Sequence, residues 1–273
     1  MRKGIAALLL GLMLVLAACS GAKPAEPVKP AEPAKPAAPQ LPARIEAIKK
    51  SGKLTVGTAN TRPFEYHDEK SNKLVGFDVD VAEKIAAAMG VTIDWKEMQF
   101  AGLVPALQAG QVDMVIAAMY ITDARKEVVD FAEPYVATGL VMVTRKDDDS
   151  VKTLKDLAKK TVGVKLGSTG AKAAEKLKAE GTDLTVKTYN ETLDSLQDLI
   201  YKRADVVFND KMNTLEFIKT HPEVKIVGDP FDPASLGIAV KKGDADLLAQ
   251  INTVVKDMKA KGEFDKLMEK WLK

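Results

Sequence analysis

From Arg44 onward, short apolar or alternating runs are interleaved with longer stretches in which apolar residues recur at helical spacing. LTVGT (54–58), VTIDW (91–95), VDMVIAA (112–118), TVGVKL (161–166), LTVKT (184–188), ADVVF (204–208) and VKIVG (224–228) are predicted strands. FDVDVAEKIAAAMG (77–90) is predicted as a helix closed by a C-cap glycine, and AKAAEKLKAEG, ETLDSLQDLIYK and NTLEFIKT are further helices. Val91, Ile93 and Trp95 alternate along one strand face and read as core, while residues 259–271 read as one amphipathic C-terminal helix. Strands and helices alternating at this length predict an α/β fold with mostly parallel sheets.

The pattern also repeats. ALQAGQVDMVIAAM (106–119) and DLIYKRADVVFNDK (198–211) share a helix end, a polar turn, an aspartate (Asp113, Asp205) and an apolar strand. TVGTAN (55–60) is echoed by TVGVKL (161–166), so two α/β lobes of related design are expected, with Ala118 and Asp210 at equivalent strand ends. In open α/β sheets the crevice beyond the carboxyl ends of the strands is where ligands bind. Two such ends facing each other make a cleft.

Ahead of Arg44 the pattern is different. MRK precedes an apolar run from Ile5 to Ala18, too short to span a bilayer and suited to a secretory signal. Leu16-Ala17-Ala18-Cys19 resembles the bacterial lipobox, which implies removal of residues 1–18 and a lipidated Cys19. AKPAEPVKPAEPAKPAAPQLP (22–42) cannot bury a core and favours polyproline II; at ~3.1 Å per residue such a tether reaches roughly 65 Å.

Composition narrows the function classes. Cys19 is the only cysteine, which excludes an intrachain disulfide and a cysteine nucleophile. The 40 Lys and Arg include Arg2 and Lys3 of the signal segment, and against 38 Asp and Glu the remainder leaves no basic excess for nucleic acid. His67 and His221 lie alone in polar loops without metal-ligand spacing, so no metal and no cofactor is expected.

The candidate chemistry begins at AAMYITDAR (117–125). Thr122 is suited to N-cap a helix, which places Arg125 in a first turn, where a cation opposes the helix dipole but an anionic ligand is favoured. A guanidinium can hold a carboxylate through two parallel bonds. Asp210 follows the strand ADVVF and can both cap the helix after it and accept an ammonium. Ser168, Thr169 and Gly170 open another helix with backbone N–H groups to offer.

GFDVDVAEKIA (76–86), MQFAGLVPALQAGQVDMVIAAMYITDARKEVVDFAEPY (98–135) and ADVVFND (204–210) resemble the amino-acid-binding extracytoplasmic solute-binding proteins that serve ABC importers. The likeness runs from Leu54 to Lys273. It implies a type II periplasmic-binding-protein fold, two α/β lobes joined by crossover strands near Pro134–Gly139 and Pro233–Gly237. Lobe 1 is then 43–136 with 236–273, and lobe 2 is 137–235. It further implies Arg125 on the ligand carboxylate, Asp210 on the ammonium, Phe100 packed on the ligand, and Ala118, Tyr120, Asn60, Arg62, Lys165, Ser168, Thr169, Gly170 and Asn209 around it.

Two departures bear on the ligand. Tyr120 stands where many relatives have serine or threonine, and GTAN replaces the GTD common in binders of basic amino acids. With Arg62 and Lys165 present, a polar or acidic amino acid is expected and a basic one disfavoured. AN before RPFEY, with MYITDAR, also resembles binding proteins for ectoine-type compatible solutes, whose ring can stack on Phe100 and Tyr120. Cyclohexadienyl dehydratases share the fold, but ADVVFND and KLGSTG offer no glutamate as general acid. The expectation is a monomeric, non-enzymatic, lipid-anchored receptor working with ABC permease subunits.

Overall fold

The computed structural model describes residues 43–272; the signal segment, Cys19 and the proline-rich tether lie outside the described residues. In chain order come α1 (Ala43–Ser51), β1 (Lys53–Thr58), the short hairpin β2 (Tyr66–His67) and β3 (Leu74–Val75), α2 (Phe77–Met89), β4 (Thr92–Glu97), α3 (Phe100–Gln108), β5 (Met114–Val115), α4 (Asp123–Lys126) and β6 (Val129–Phe131). Next are β7 (Val136–Arg145), β8 (Thr161–Lys165), α5 (Thr169–Ala179), β9 (Thr185–Tyr189), α6 (Thr192–Ile200), β10 (Val206–Asp210), α7 (Lys211–Thr220) and β11 (Val224–Leu236). The chain ends with β12 (Ala239–Lys241), α8 (Ala245–Ala260) and α9 (Glu263–Trp271).

Two mixed sheets form two lobes. The first has the order β4-β1-β5-β12-β6 and the second β11-β7-β10-β8-β9. Both are parallel at β4/β1/β5 and β9/β8/β10, then turn antiparallel at β12 and β7. The chain leaves the first sheet after Phe131 and re-enters it at Ala239, and β7 and β11 run antiparallel with Val136 opposite Leu236.

Apolar side chains cover both faces of each sheet. On the first, Val56, Phe77, Val81, Ile85, Leu247 and Ile251 fill one face, while Leu103, Leu107, Val115 and Met119 fill the other. On the second, Val162, Val164 and Val206 pack on one side, with Val141, Val207, Leu196 and Leu199 opposite. Each such side chain contributes on the order of 1.5–3 kcal/mol by leaving water. Val91, Ile93 and Trp95 pack against the first core partly buried.

The elements differ from the sequence reading in two places. The C-terminal stretch is not one helix: α8 stops at Ala260 and α9 begins after Gly262, whose φ of 61° suits glycine and breaks the run. VDMVIAA pairs as a strand only at Met114–Val115, because the chain then bends toward Ala118, which sits at φ 46°. Among the described residues no helix is long and apolar enough to cross a membrane.

Candidate functional site

A cavity, partly open to solvent and about 480 Å³ with that open space counted, lies where the carboxyl ends of the two sheets face each other. Thr61, Phe100, Ala117, Ala118, Tyr120 and Arg125 line it from the first lobe. Lys165, Ser168, Thr169, Gly170, Thr192, Phe208, Asn209 and Asp210 line it from the second, with Leu140 of β7. The lobes meet across it: Arg125 donates to the Gly167 carbonyl (3.1 Å), Lys165 to Thr61 (2.9 Å), Tyr120 to Asp210 (2.7 Å) and Asn213 to the Arg62 carbonyl. Gly167, at φ 75°, permits this approach, since a Cβ there would lie 3.0 Å from Ala101.

Arg125 is placed as its sequence context predicts. Thr122 caps α4 by accepting from the Arg125 backbone N–H (3.3 Å), and the guanidinium, 7% exposed, donates to the Tyr120 carbonyl (2.7 Å). It lies 5.3 Å from the Phe100 ring centroid, and among the described residues it forms no salt bridge; Asp123 pairs instead with Lys126. Burial alone draws its pKa down to about 10, so it remains a cation without a counter-ion.

Asp210 closes β10 and caps α7. Its Oδ1 accepts the backbone N–H groups of Met212 (2.8 Å) and Asn213 (3.0 Å), while Oδ2 accepts Tyr120 and Thr138 hydroxyls at 2.7 Å each. Burial pushes its carboxyl above the usual range, and these hydrogen bonds oppose that rise. Tyr120 thus spends its hydroxyl on the acid, and its ring packs into the first core.

Lys165 is the second buried cation. Its ammonium donates to Thr61, lies 4.8 Å from the Phe100 centroid and is drawn below the ordinary lysine range by burial. Ser168 caps α5 by accepting from the Ala171 N–H (3.1 Å), leaving the first amides of the helix, at Thr169 and Gly170, without acceptors of their own turn. Asn209 donates to Asn213 and Thr214, which fixes α7 behind the cavity. Ala118 donates its N–H to buried Asp78 (2.7 Å), which holds it in the left-handed region.

The structure does not bring Asn60 and Arg62 into the lining. Asn60 is exposed, and Arg62 lies over the Tyr66 ring at 4.1 Å and faces Glu69 at 3.5 Å. Thr61 between them points inward, because it pairs with Glu65 in a β-bridge and neighbouring side chains there take opposite sides. Thr61, Ala117, Leu140, Thr192 and Phe208 escaped the sequence reading. Phe208 follows from Asp210, since residues two apart on a strand share a face, whereas Leu140 and Thr192 come from elements whose direction only the fold sets.

Comparison with known proteins agrees with this architecture. Residues 54–273 match the model of the bacterial extracellular solute-binding proteins, family 3. The L-cystine-binding protein TcyA of Bacillus subtilis is 34% identical over 82% of this chain and 83% of its own. An ancestral arginine-binding protein bound to arginine superposes with a TM-score of 0.77 at 44% identity, covering 81% of this chain and 99% of that one. An ancestral arginine-binding protein bound to glutamine gives 0.75 at 45%, covering 81% and 97%. With two lobes, an interlobe cavity and this match over nearly every described residue, the chain belongs to the bacterial extracellular solute-binding proteins of family 3.

Proposed function

We propose that this protein binds a polar or acidic amino acid between its lobes and closes on it. The observation that carries the reading is the charge distribution in the cavity: two buried cations that form no salt bridge among the described residues, Arg125 and Lys165, face one buried acid, Asp210. A zwitterion with an extra oxygen at its side-chain end matches all three. In this reading Arg125 and the first amides of α5 take the α-carboxylate, and Asp210 takes the ammonium as that group replaces a hydroxyl on Oδ2. Lys165 receives the side-chain oxygen, and Phe100 packs beside it. Because Arg125 and Asp210 stand on different lobes, ligand free energy favours the closed state.

Relatives bind cystine, arginine or glutamine, so likeness alone does not select among ligands. Lys165 does: an arginine side chain would bring a second cation beside an ammonium already costly to bury. Calorimetry with L-glutamine, L-glutamate and L-arginine, on protein refolded from denaturant, tests the reading. L-glutamine or L-glutamate binding at least about tenfold tighter than L-arginine is expected; tighter arginine binding would overturn it.

We also propose that Cys19 carries a lipid and the tether behind it holds the receptor near the membrane. Cys19→Ala should move the protein from the detergent phase to the aqueous phase without changing affinity.

A further inference from the structure

One buried acid beside the cavity has no task in that reading. Glu65 is fully buried, and neither of its carboxyl oxygens has a hydrogen-bond partner among the described residues. It sits in a turn fixed from both sides: the Thr61 N–H donates to its carbonyl (2.7 Å) and its own N–H returns to Thr61 (3.2 Å). The same turn carries Thr61, the acceptor for Lys165. Helix α2 packs on it, with Phe77 and Asp78 donating their N–H groups to the Pro63 and Phe64 carbonyls (3.1 and 2.8 Å). Gly76 permits this, since a Cβ there would fall 2.1 Å from the Phe64 oxygen.

Asp78 is therefore Glu65's buried neighbour, and its two oxygens are committed to the Ala118 N–H (2.7 Å) and the Tyr135 hydroxyl (2.8 Å). Two buried carboxyl groups that act on each other do not both ionise. Asp78, with two donors, is the better anion; Glu65, with none, is the better acid.

We infer that Glu65 sets the charge at the side-chain end of the cleft: neutral, it leaves Lys165 an uncompensated cation, and ionised, it cancels that cation and turns preference away from acidic side chains. The inference rests on the reading of Lys165 given above. Among the described residues Lys165 forms no salt bridge, although Glu65 and half-buried Glu191 are near enough to act on its charge. Burial first, then Asp78, hold the Glu65 carboxyl well above its ordinary value, with Lys165 opposing. Asp78 itself is pushed up to about 6, chiefly by burial. Among the described residues, Tyr135, Asp210 and, through Glu191, Asp194 also act on this cluster.

The sign follows from linkage. An acidic ligand side chain beside Lys165 favours protonated Glu65, so its affinity is highest at low pH and falls as pH rises through the Glu65 pKa of the free protein. A neutral side chain feels this far less. Calorimetry of L-glutamate and L-glutamine from about pH 5 to about pH 9 should show the ratio of their affinities falling at least about tenfold in the parent. In Glu65→Gln, which fixes the neutral form, the ratio should stay near its low-pH value. A flat ratio in the parent, or an equal fall in Glu65→Gln, would overturn the inference, the latter by assigning the pH dependence to Lys165 or Glu191.

If neither amino acid binds, the ligand reading fails, and the ligand-free parent decides the inference separately. The Glu65 carboxyl carbon, identified by its loss in Glu65→Gln, should report a neutral acid at pH 7. The Lys165 ammonium should shift over the pH range in which Glu65 titrates. An ionised Glu65 at pH 7, or a Lys165 indifferent to it, would overturn the inference whatever the ligand.

Discussion

The two lobes share one plan in their parallel strands and diverge at the cleft. In the first, Asp113 accepts the Thr55 N–H at 2.7 Å; in the second, Asp205 accepts the Thr161 N–H at 2.8 Å. Gly57 faces Val115 and Gly163 faces Val207, and at each glycine a Cβ would come within 3.2 Å of the valine. Beyond those strands the likeness ends. The first lobe bends through Ala118 to Arg125, whereas the second runs straight to Asp210 and into α7. Shared residues fix the scaffold, and the residues that differ set Arg125 on one wall across from Asp210 on the other. A zwitterion has the same asymmetry.

The largest break in this comparison is Arg125→Ala. In the proposed complex it leaves a buried carboxylate unpaired, at a cost of about 3–5 kcal/mol, so affinity should fall at least about a hundredfold. Arg125→Lys should recover part of it, because one ammonium cannot form two parallel bonds. Melting of the ligand-free variants should stay near the parent, with most of the ligand-induced rise lost.

Lys165→Met comes next. It removes the charge at the side-chain end and should weaken L-glutamate by about ten- to a hundredfold, and L-glutamine by less, as charge-assisted hydrogen bonds outweigh neutral ones. Equal losses for the two would assign Lys165 a packing role.

How far the sequence announces these features depends on what a pattern can carry. Strand–helix alternation and the 106–119/198–211 repeat reveal the lobes because period and turn chemistry are local. Thr122 and Asp210 are legible as caps because the cap lies within three residues of what it caps. Thr61 in place of Asn60 and Arg62 is not legible, since an irregular loop has no period to fix which side chain turns inward. Glu65 and Asp78 carry no local sign of burial; only the packing of α2 on the 61–65 turn buries them. The break at Gly262 was within reach, because glycine there interrupts helical spacing that otherwise continues.

A smaller effect is expected at Tyr120→Phe. The hydroxyl competes with the ligand ammonium for Asp210 Oδ2, so its loss should raise affinity by about two- to fivefold, the scale of one modest hydrogen bond. A fall would mean that the hydroxyl contacts the ligand.

The smallest effect on binding should come from Asp113→Ala and Asp205→Ala. Each leaves a backbone N–H of a core strand without its side-chain acceptor and should cost about 1–3 kcal/mol in denaturant unfolding. Affinity should stay within about twofold, since neither acid lines the cavity. A variant that lost binding but not stability would move its aspartate from scaffold to site.

The central claim is that Arg125 on one lobe and Asp210 on the other hold the two charged groups of one zwitterion. It is tested most directly by titrating the parent and Asp210→Asn with L-glutamine and with 4-carbamoylbutanoate, which is glutamine without its ammonium. If Asp210 receives the ammonium, deleting that group should cost the parent at least about a hundredfold and the variant no more than about tenfold, a coupling between two contacting groups. An equal loss in both proteins would contradict the account, because the ammonium would then be bound somewhere other than Asp210.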